Sequence, residues 1–184
     1  MMEKSSGNGF SVGLGLTNEC NLACAHCYRD TGRTDRLSLD DVRRVCENVP
    51  VRSVNLGTGE NGLHPEFHAI LDYLRGRGTT IALTSNGYSA AVLSDDELRS
   101  FADLEFSLDF ATEREQDSWR GPGNWQLVLD QTARVLRLGV PVTIIAVMMR
   151  TNYDKLPEMI SASANALIAR QTRIPCRFEK MHTF

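Results

Sequence analysis

Short runs of apolar and β-branched residues alternate along this chain with stretches whose apolar positions recur at i, i+3, i+4 and i+7. The first pattern predicts β-strands and the second amphipathic helices. Strands are expected over residues 10–16, 51–56, 79–84, 104–108 and 141–149. Leu39, Val42, Val45, Cys46 and Val49 share one helical face behind Ser38, which has Asp41 three residues on. Phe67, Ile70, Leu71 and Leu74 mark a second helix, and Ser94 with Glu97 forms a capping box before Leu98 and Phe101. Trp125, Val128, Leu129, Val135 and Leu136 line a longer helix, stopped by Gly139 and Pro141. Pro157 suits the first position of a last helix carrying Ile160 and Leu167.

Strict βαβα alternation predicts a mainly parallel sheet with helices outside it. Five clear units are too few to close an eight-unit barrel. The expected fold is therefore α/β, an open partial (β/α) barrel of about five to six units. Residues 1–9 are polar and glycine-containing and read as a flexible lead-in, residues 10–168 as the core domain, and 169–184 as an atypical C-terminal tail. That tail is basic and lacks strand alternation, so Arg170, Arg173, Arg177 and Lys180 read as solvated and a sixth strand as missing. A missing sixth strand would leave the fifth with bare hydrogen-bonding groups, an edge that a partner subunit or a second copy would cover.

Composition narrows the class without naming a function. The chain has 184 residues, 42% hydrophobic and 23% charged, as in an ordinary globular domain. A net charge of −3 gives no electrostatic reason to expect nucleic acid or a membrane surface as partner. No apolar stretch approaches the ~20 residues of a membrane span.

The densest chemistry is Cys20-Asn21-Leu22-Ala23-Cys24-Ala25-His26-Cys27-Tyr28, directly after the first strand. Three thiolates in so short a run can hold three irons of a [4Fe–4S] cluster and leave the fourth open to another ligand. A Cys3His zinc site including His26 is the competing reading. Zinc ligands usually come as two separated pairs, however, and His26 abuts Cys27. Five cysteines and no signal peptide argue against a disulfide framework, and a reducing cytoplasm is the expected compartment. Cys46 lies on a helix's apolar face and reads as core; Cys176 stands alone. His64 and His68 lack companion ligands and read as surface or substrate-facing residues.

Each later strand also ends in unusual residues. Gly57-Thr58-Gly59-Glu60 follows the second, Ser85-Asn86-Gly87 the third, and Ser107-Leu108-Asp109 the fourth. Any one of these is an ordinary turn, but in parallel β/α folds the carboxyl ends of the strands are where functional groups gather.

Taken in order over about residues 10–150, these segments resemble the radical S-adenosylmethionine (SAM) enzymes. The C-x3-C-x2-C run ending in an aromatic is similar to that family's cluster motif, and Gly57 to Glu60 to its Gly-Gly-Glu motif, with Thr58 replacing a glycine. Gln116-Asp117-Ser118-Trp119-Arg120-Gly121 resembles a His-Asp-x-x-Arg-Gly segment, placed before the fourth helix and typical of members that modify peptides. The resemblance implies a [4Fe–4S] cluster on Cys20, Cys24 and Cys27. It implies SAM held by Gly57, Gly59, Glu60 (for the methionyl amine), Ser85, Asn86, Ser107, Asp109 and Arg120 (for the carboxylate), with Ile144 to Met148 walling the adenine. It further implies reductive cleavage of SAM to a 5′-deoxyadenosyl radical that abstracts hydrogen from a peptide or small-molecule substrate. A flavodoxin- or ferredoxin-type donor would supply the electron. The alternative is a truncated, non-catalytic partner subunit that keeps a cluster or zinc.

Overall fold

The computed structural model of the protein describes residues 9–169 and 176–181, with side chains through residue 165. Its elements run β1 (Phe10–Leu14), α1 (Leu39–Asn48), β2 (Val51–Leu56), α2 (Phe67–Gly76), β3 (Thr80–Ser85), α3 (Tyr88–Val92) and α4 (Asp95–Leu98). They continue with β4 (Asp103–Ser107), α5 (Glu113–Arg120), α6 (Asn124–Arg137), β5 (Val142–Val147), α7 (Leu156–Ala169) and β6 (Cys176–Met181). The strands lie side by side in chain order, β1 to β6, and every neighbouring pair is parallel. This is the expected α/β architecture, an open partial barrel.

Alternation along each strand divides the sheet into two faces. Val54, Leu56, Ile81, Leu83, Leu104 and Phe106 are buried in the main core, while Asn55, Ala82, Thr84, Glu105 and Ser107 at the opposite positions are only half-buried. Helix α2 buries Phe67, Ile70, Leu71 and Leu74 in that core, each side chain contributing roughly 1.5–3 kcal/mol. Helix α1 buries Val42 and Cys46, so Cys46 is a core residue. Both capping boxes form, Ser38 with Asp41 and Ser94 with Glu97. Hydrogen bonds from His68 and Ser94 outweigh the burial that would raise the Glu97 carboxyl and hold it at about 2.

Three expectations change. Residues 176–181 form β6, paired in parallel with β5 from Val142↔Cys176 to Val147↔Met181. Strand β5 is thus internal, the edges of the sheet are β1 and β6, and the bare fifth-strand edge is not there. The argument for an incomplete core from a missing sixth strand falls with it. The backbones of Arg177 and Lys180 belong to a strand, whereas Arg170 and Arg173 lie outside the described residues. The physical reason is that a backbone ladder needs an extended neighbour, not an alternating one, and β5 is too buried to stand as an edge. Second, the segment around Gln116 is itself a helix, α5, capped by the Thr112 side chain. Third, His64 is buried, because the turn after β2 folds inward; only His68 of the pair is exposed.

That turn carries the one non-glycine residue with positive φ among the described residues, Thr58 at +66°. A β-branched side chain is poorly accommodated there. Its neighbour Gly59 (φ +62°) lies so close to the chain before Cys20 that a Cβ would sit 2.4 Å from the Thr17 carbonyl oxygen and 2.5 Å from that of Glu19. Gly59→Ala is expected to cost at least about 2 kcal/mol in urea unfolding. Thr58→Gly should be neutral or stabilising by up to about 1 kcal/mol, because released strain outweighs the entropy glycine adds to the unfolded chain. A clear loss of stability in Thr58→Gly would show that the turn is not strained.

Candidate active site

The carboxyl ends of β1 to β5 bring the cysteine run and the strand-end residues to one end of the sheet. Cys20, Cys24 and Cys27 are free thiols, each partly buried, on the long loop after β1. Two of their sulfurs receive N–H donors. Cys20 Sγ accepts from the Leu22 amide and from Asn86 Nδ2, both at 3.4 Å, and Cys27 Sγ accepts from Arg29 Nε at 3.1 Å. The Cys24 thiol lies 3.8 Å from the Arg120 carbonyl oxygen, to which it donates. Burial pushes the Cys20 and Cys24 thiols up, as expected for neutral sulfur in an apolar setting before a cation binds.

Arg29, which the motif reading passed over, staples this loop. Besides Cys27 it donates to the Leu22 carbonyl at 2.9 Å and to that of Asn18. A lone cation two residues after the last cysteine was the only sequence signal for it. His26 turns away from the thiols. Its Nδ1 accepts from Trp119 Nε1 at 2.6 Å, its Nε2 lies 3.7 Å from Asp109 Oδ2, and burial pushes its pKa down. With both ring nitrogens so placed, it does not complete a Cys3His set. Among the described residues no three Cys, His, Asp or Glu side chains converge on a single metal ion. Three thiols on one loop, two with N–H donors on sulfur, fit the thiolate ligation of a multi-iron cluster.

The turn after β2 lies against the root of that loop. The Gly57 amide donates to Leu14 O at 3.1 Å and the Glu60 amide to Glu19 O at 2.7 Å. The Glu60 side chain points inward, 1% exposed. Its Oε1 accepts from Ser85 Oγ (2.6 Å), from the Ser89 amide (2.7 Å) and from Ser89 Oγ, and its Oε2 accepts from the Asn86 amide at 2.9 Å. Glu60 and Ser85 are therefore joined to each other, so a ligand reaching them would have to exchange these hydrogen bonds for its own. Asn86 reaches the cysteine loop through Asn21 Oδ1 (2.9 Å) as well as Cys20.

Asp109 and Arg120 also meet, Arg120 Nε donating to Asp109 Oδ2 at 2.6 Å in a buried ion pair. Asp109 Oδ1 accepts from the Val147 amide at 2.9 Å, which ties the end of β4 to that of β5. Asn152, unmarked by any motif, donates to the carbonyls of Asp109 and Val147, both at 2.9 Å. Gln116 Nε2 lies 3.4 Å from the Ser107 carbonyl oxygen, while the Ser107 side chain sits on the half-buried face. Ile144, Ile145 and Ala146 are buried along β5. The assembly brings carboxylate, guanidinium, amide and thiol groups together at the strand ends, a chemistry suited to a charged cofactor beside a cluster.

Comparison with known proteins places this arrangement. The sequence matches the radical SAM superfamily over residues 14–162. It is 30% identical over 168 residues to the mycofactocin maturase MftC of Mycobacterium tuberculosis, covering 86% of this chain and 43% of that protein. Streptococcus suis SuiB bound to its precursor peptide SuiA shares the fold with a TM-score of 0.67 at 16% identity, over 85% of this chain and 37% of SuiB. SuiB bound to S-adenosylmethionine gives 0.66 at 13% identity, over 94% of this chain and 47% of SuiB. The chain thus spans less than half the length of these relatives. On the family match, and with its three cysteines and strand-end residues assembled as described, the chain belongs to the radical SAM superfamily of enzymes, whose cofactors are a [4Fe–4S] cluster and SAM.

Proposed function

We propose that Cys20, Cys24 and Cys27 hold a [4Fe–4S] cluster and that SAM binds beside it, against Gly57, Gly59, Glu60, Ser85, Asn86, Ser107, Asp109 and Arg120. The observation that carries this is the meeting of the three-thiol loop with the turn after β2, the end of β3 and the last residue of α5 through Glu19–Glu60, Cys20–Asn86 and Cys24–Arg120, with Arg120 in turn paired to Asp109 just beyond β4. The chemistry the cofactors supply when bound is reductive cleavage of SAM to a 5′-deoxyadenosyl radical that takes hydrogen from the substrate. The chain's own residues bind, orient and exclude water. Gly59 lets the β2 turn approach the cysteine loop, Glu60 and Ser85 hold that turn rigid, and Arg120 presents a planar cation whose charge suits a carboxylate. Ile144 to Met148 supply an apolar wall for the adenine.

The substrate we infer is a peptide. The Gln116–Gly121 segment supports this, as does the resemblance to SuiB, which was captured with its precursor peptide. A flavodoxin- or ferredoxin-type donor would supply the electron that reductive cleavage of SAM consumes. No helix among the described residues is long and apolar enough to cross a membrane, and we place the protein in the cytoplasm, where thiolate ligands stay reduced.

Anaerobic reconstitution should give about four irons per chain with a brown charge-transfer band. Cys20→Ala, Cys24→Ala and Cys27→Ala should each abolish that band, whereas Cys46→Ala and Cys176→Ala should keep it. Reduced protein with SAM should yield 5′-deoxyadenosine by chromatography; iron without any SAM cleavage would sink the catalytic reading. The buried ion pair gives a second test. Arg120→Ala should cost about 3–5 kcal/mol in urea unfolding because Asp109 is left buried and unpaired. Asp109→Asn keeps an acceptor for the Val147 amide but leaves the Arg120 cation without its carboxylate; it should cost less because Arg120 is 8% exposed and its long side chain can reach water, whereas Asp109 is fully buried. Equal losses in the two variants would mean that the pairing, not the stranded charge, sets the energy.

A further inference from the structure

A continuous run of hydrogen bonds crosses the floor of the site and reaches a cysteine at each end. Cys20 Sγ accepts from Asn86 Nδ2 at 3.4 Å. The Asn86 carbonyl accepts from Asn124 Nδ2 at 2.9 Å, and Asn124 Oδ1 accepts from Gln116 Nε2 at 2.8 Å. Gln116 Oε1 accepts from the Asp109 and Phe110 amides at 2.9 and 3.2 Å. Asp109 Oδ2 accepts from Arg120 Nε at 2.6 Å, and the Arg120 carbonyl accepts from the Cys24 thiol at 3.8 Å.

Gln116 is 0% exposed and Asn124 3%. Both are buried among protein groups and have no part in the binding set above. Each uses both ends of its amide. Gln116 accepts from the end of β4 and donates to α6; Asn124 accepts from α5 and donates to the end of β3. An apolar side chain would fill the same space, but it would leave the Asp109 and Phe110 amides and the Asn86 carbonyl without these partners. Each half of the run carries one thiol and one set of strand-end residues, and the Gln116–Asn124 bond joins the halves.

We propose that Gln116 and Asn124 are positioning residues that hold the Asn86–Cys20 half and the Asp109–Arg120–Cys24 half in one fixed relation. In a buried network each bond orients the next, and outer partners of this kind govern how well ligands are presented. The SAM arm of the test rests on the proposed function; the thiol arm does not.

The test uses the full chain with Gln116→Met, which is near-isosteric, Asn124→Ala, and the double variant. In the metal-free protein, iodoacetamide alkylation is followed at each cysteine by mass spectrometry. Cys20 and Cys24 should react at least about threefold faster in either single variant, as local opening rises. Cys27, held by Arg29, should react at the wild-type rate. In the reconstituted protein, SAM titrated against the reduced cluster by EPR should bind about tenfold more weakly. Iron content should be unchanged, and the double variant should be no worse than the weaker single one. Unchanged alkylation at Cys20 and Cys24 alongside a lowered Tm would reduce both residues to ordinary core and overturn the proposal. Additive effects in the double variant would overturn the link between the halves. If Gln116→Met does not fold, Asn124→Ala alone decides by the same readings. A wild-type chain that binds no SAM removes the proposed function, and alkylation then decides the positioning role by itself.

Discussion

The rest of the site depends on a carboxylate buried where water cannot solvate it. Ionised groups placed in a protein interior cost several kcal/mol unless hydrogen bonds replace their hydration. Glu60 meets this demand by drawing Ser85, Ser89 and the Asn86 and Ser89 amides around itself. Two of those donors are backbone groups at the end of β3 and in the first turn of α3, where N–H groups lack partners within a helix. Its own amide is tied to Glu19, one residue before the first cysteine of the run. The Glu60 side chain thus joins the turn after β2 to the end of β3 and the start of α3, and its amide joins that turn to the loop after β1. The close approach at Gly59 is the steric counterpart of the same constraint.

The sheet makes that convergence attainable. Parallel pairing in chain order carries each strand to the same end before the chain turns back through a helix. The register Leu56↔Leu83, Ser85↔Phe106 and Ser107↔Ile145 keeps the strand ends nearly level. The apolar face secures the helices, which frees the loops at the strand ends to hold polar groups. Many of the polar groups gathered there are then satisfied by one another, as the Asn86–Asn124–Gln116–Asp109 sequence of bonds shows, although the buried Asn61 amide is not.

Periodicity revealed five strands and the larger helices because those elements bury apolar faces. Helix α5 escaped it because its buried face is Gln116 and Arg120, and a hydrophobicity pattern cannot register a helix whose inner side is polar. Strand β6 escaped because the alternation of residues 176–181 is short and broken by the adjacent charges Glu179 and Lys180, so that the neighbouring ladder is what reveals them as a strand. The motifs singled out Glu60, Ser85, Asp109 and Arg120; the structure places the first three at or just beyond strand ends and Arg120 at the end of α5. They did not show that Glu60 and Ser85 bond each other, or that Asp109 and Arg120 pair. A motif records which residue types occur, whereas partner choice is settled by burial, which sequence spacing does not encode. Arg29 and Asn152 show the same gap, since each works through backbone carbonyls that carry no residue signature.

Pairing within the site has a consequence for binding. A cofactor bearing carboxylate and ammonium groups would meet side chains that already have partners, so binding exchanges hydrogen bonds more than it adds them. The net gain from any single contact is then modest. What the internal pairs provide is placement: the Asp109 carboxylate is held at one oxygen by Arg120 and at the other by the Val147 amide, with Asn152 clamping the backbone beneath it. Groups fixed in this way need little reorganisation when a charge arrives, which is the condition under which buried dipoles stabilise charge best. Replacing any one of Glu60, Asp109 and Arg120 by an apolar residue would keep the core filled but leave its partners unpaired. What the buried pairs supply is orientation, and orientation is what the proposed chemistry would ask of the protein around a cluster.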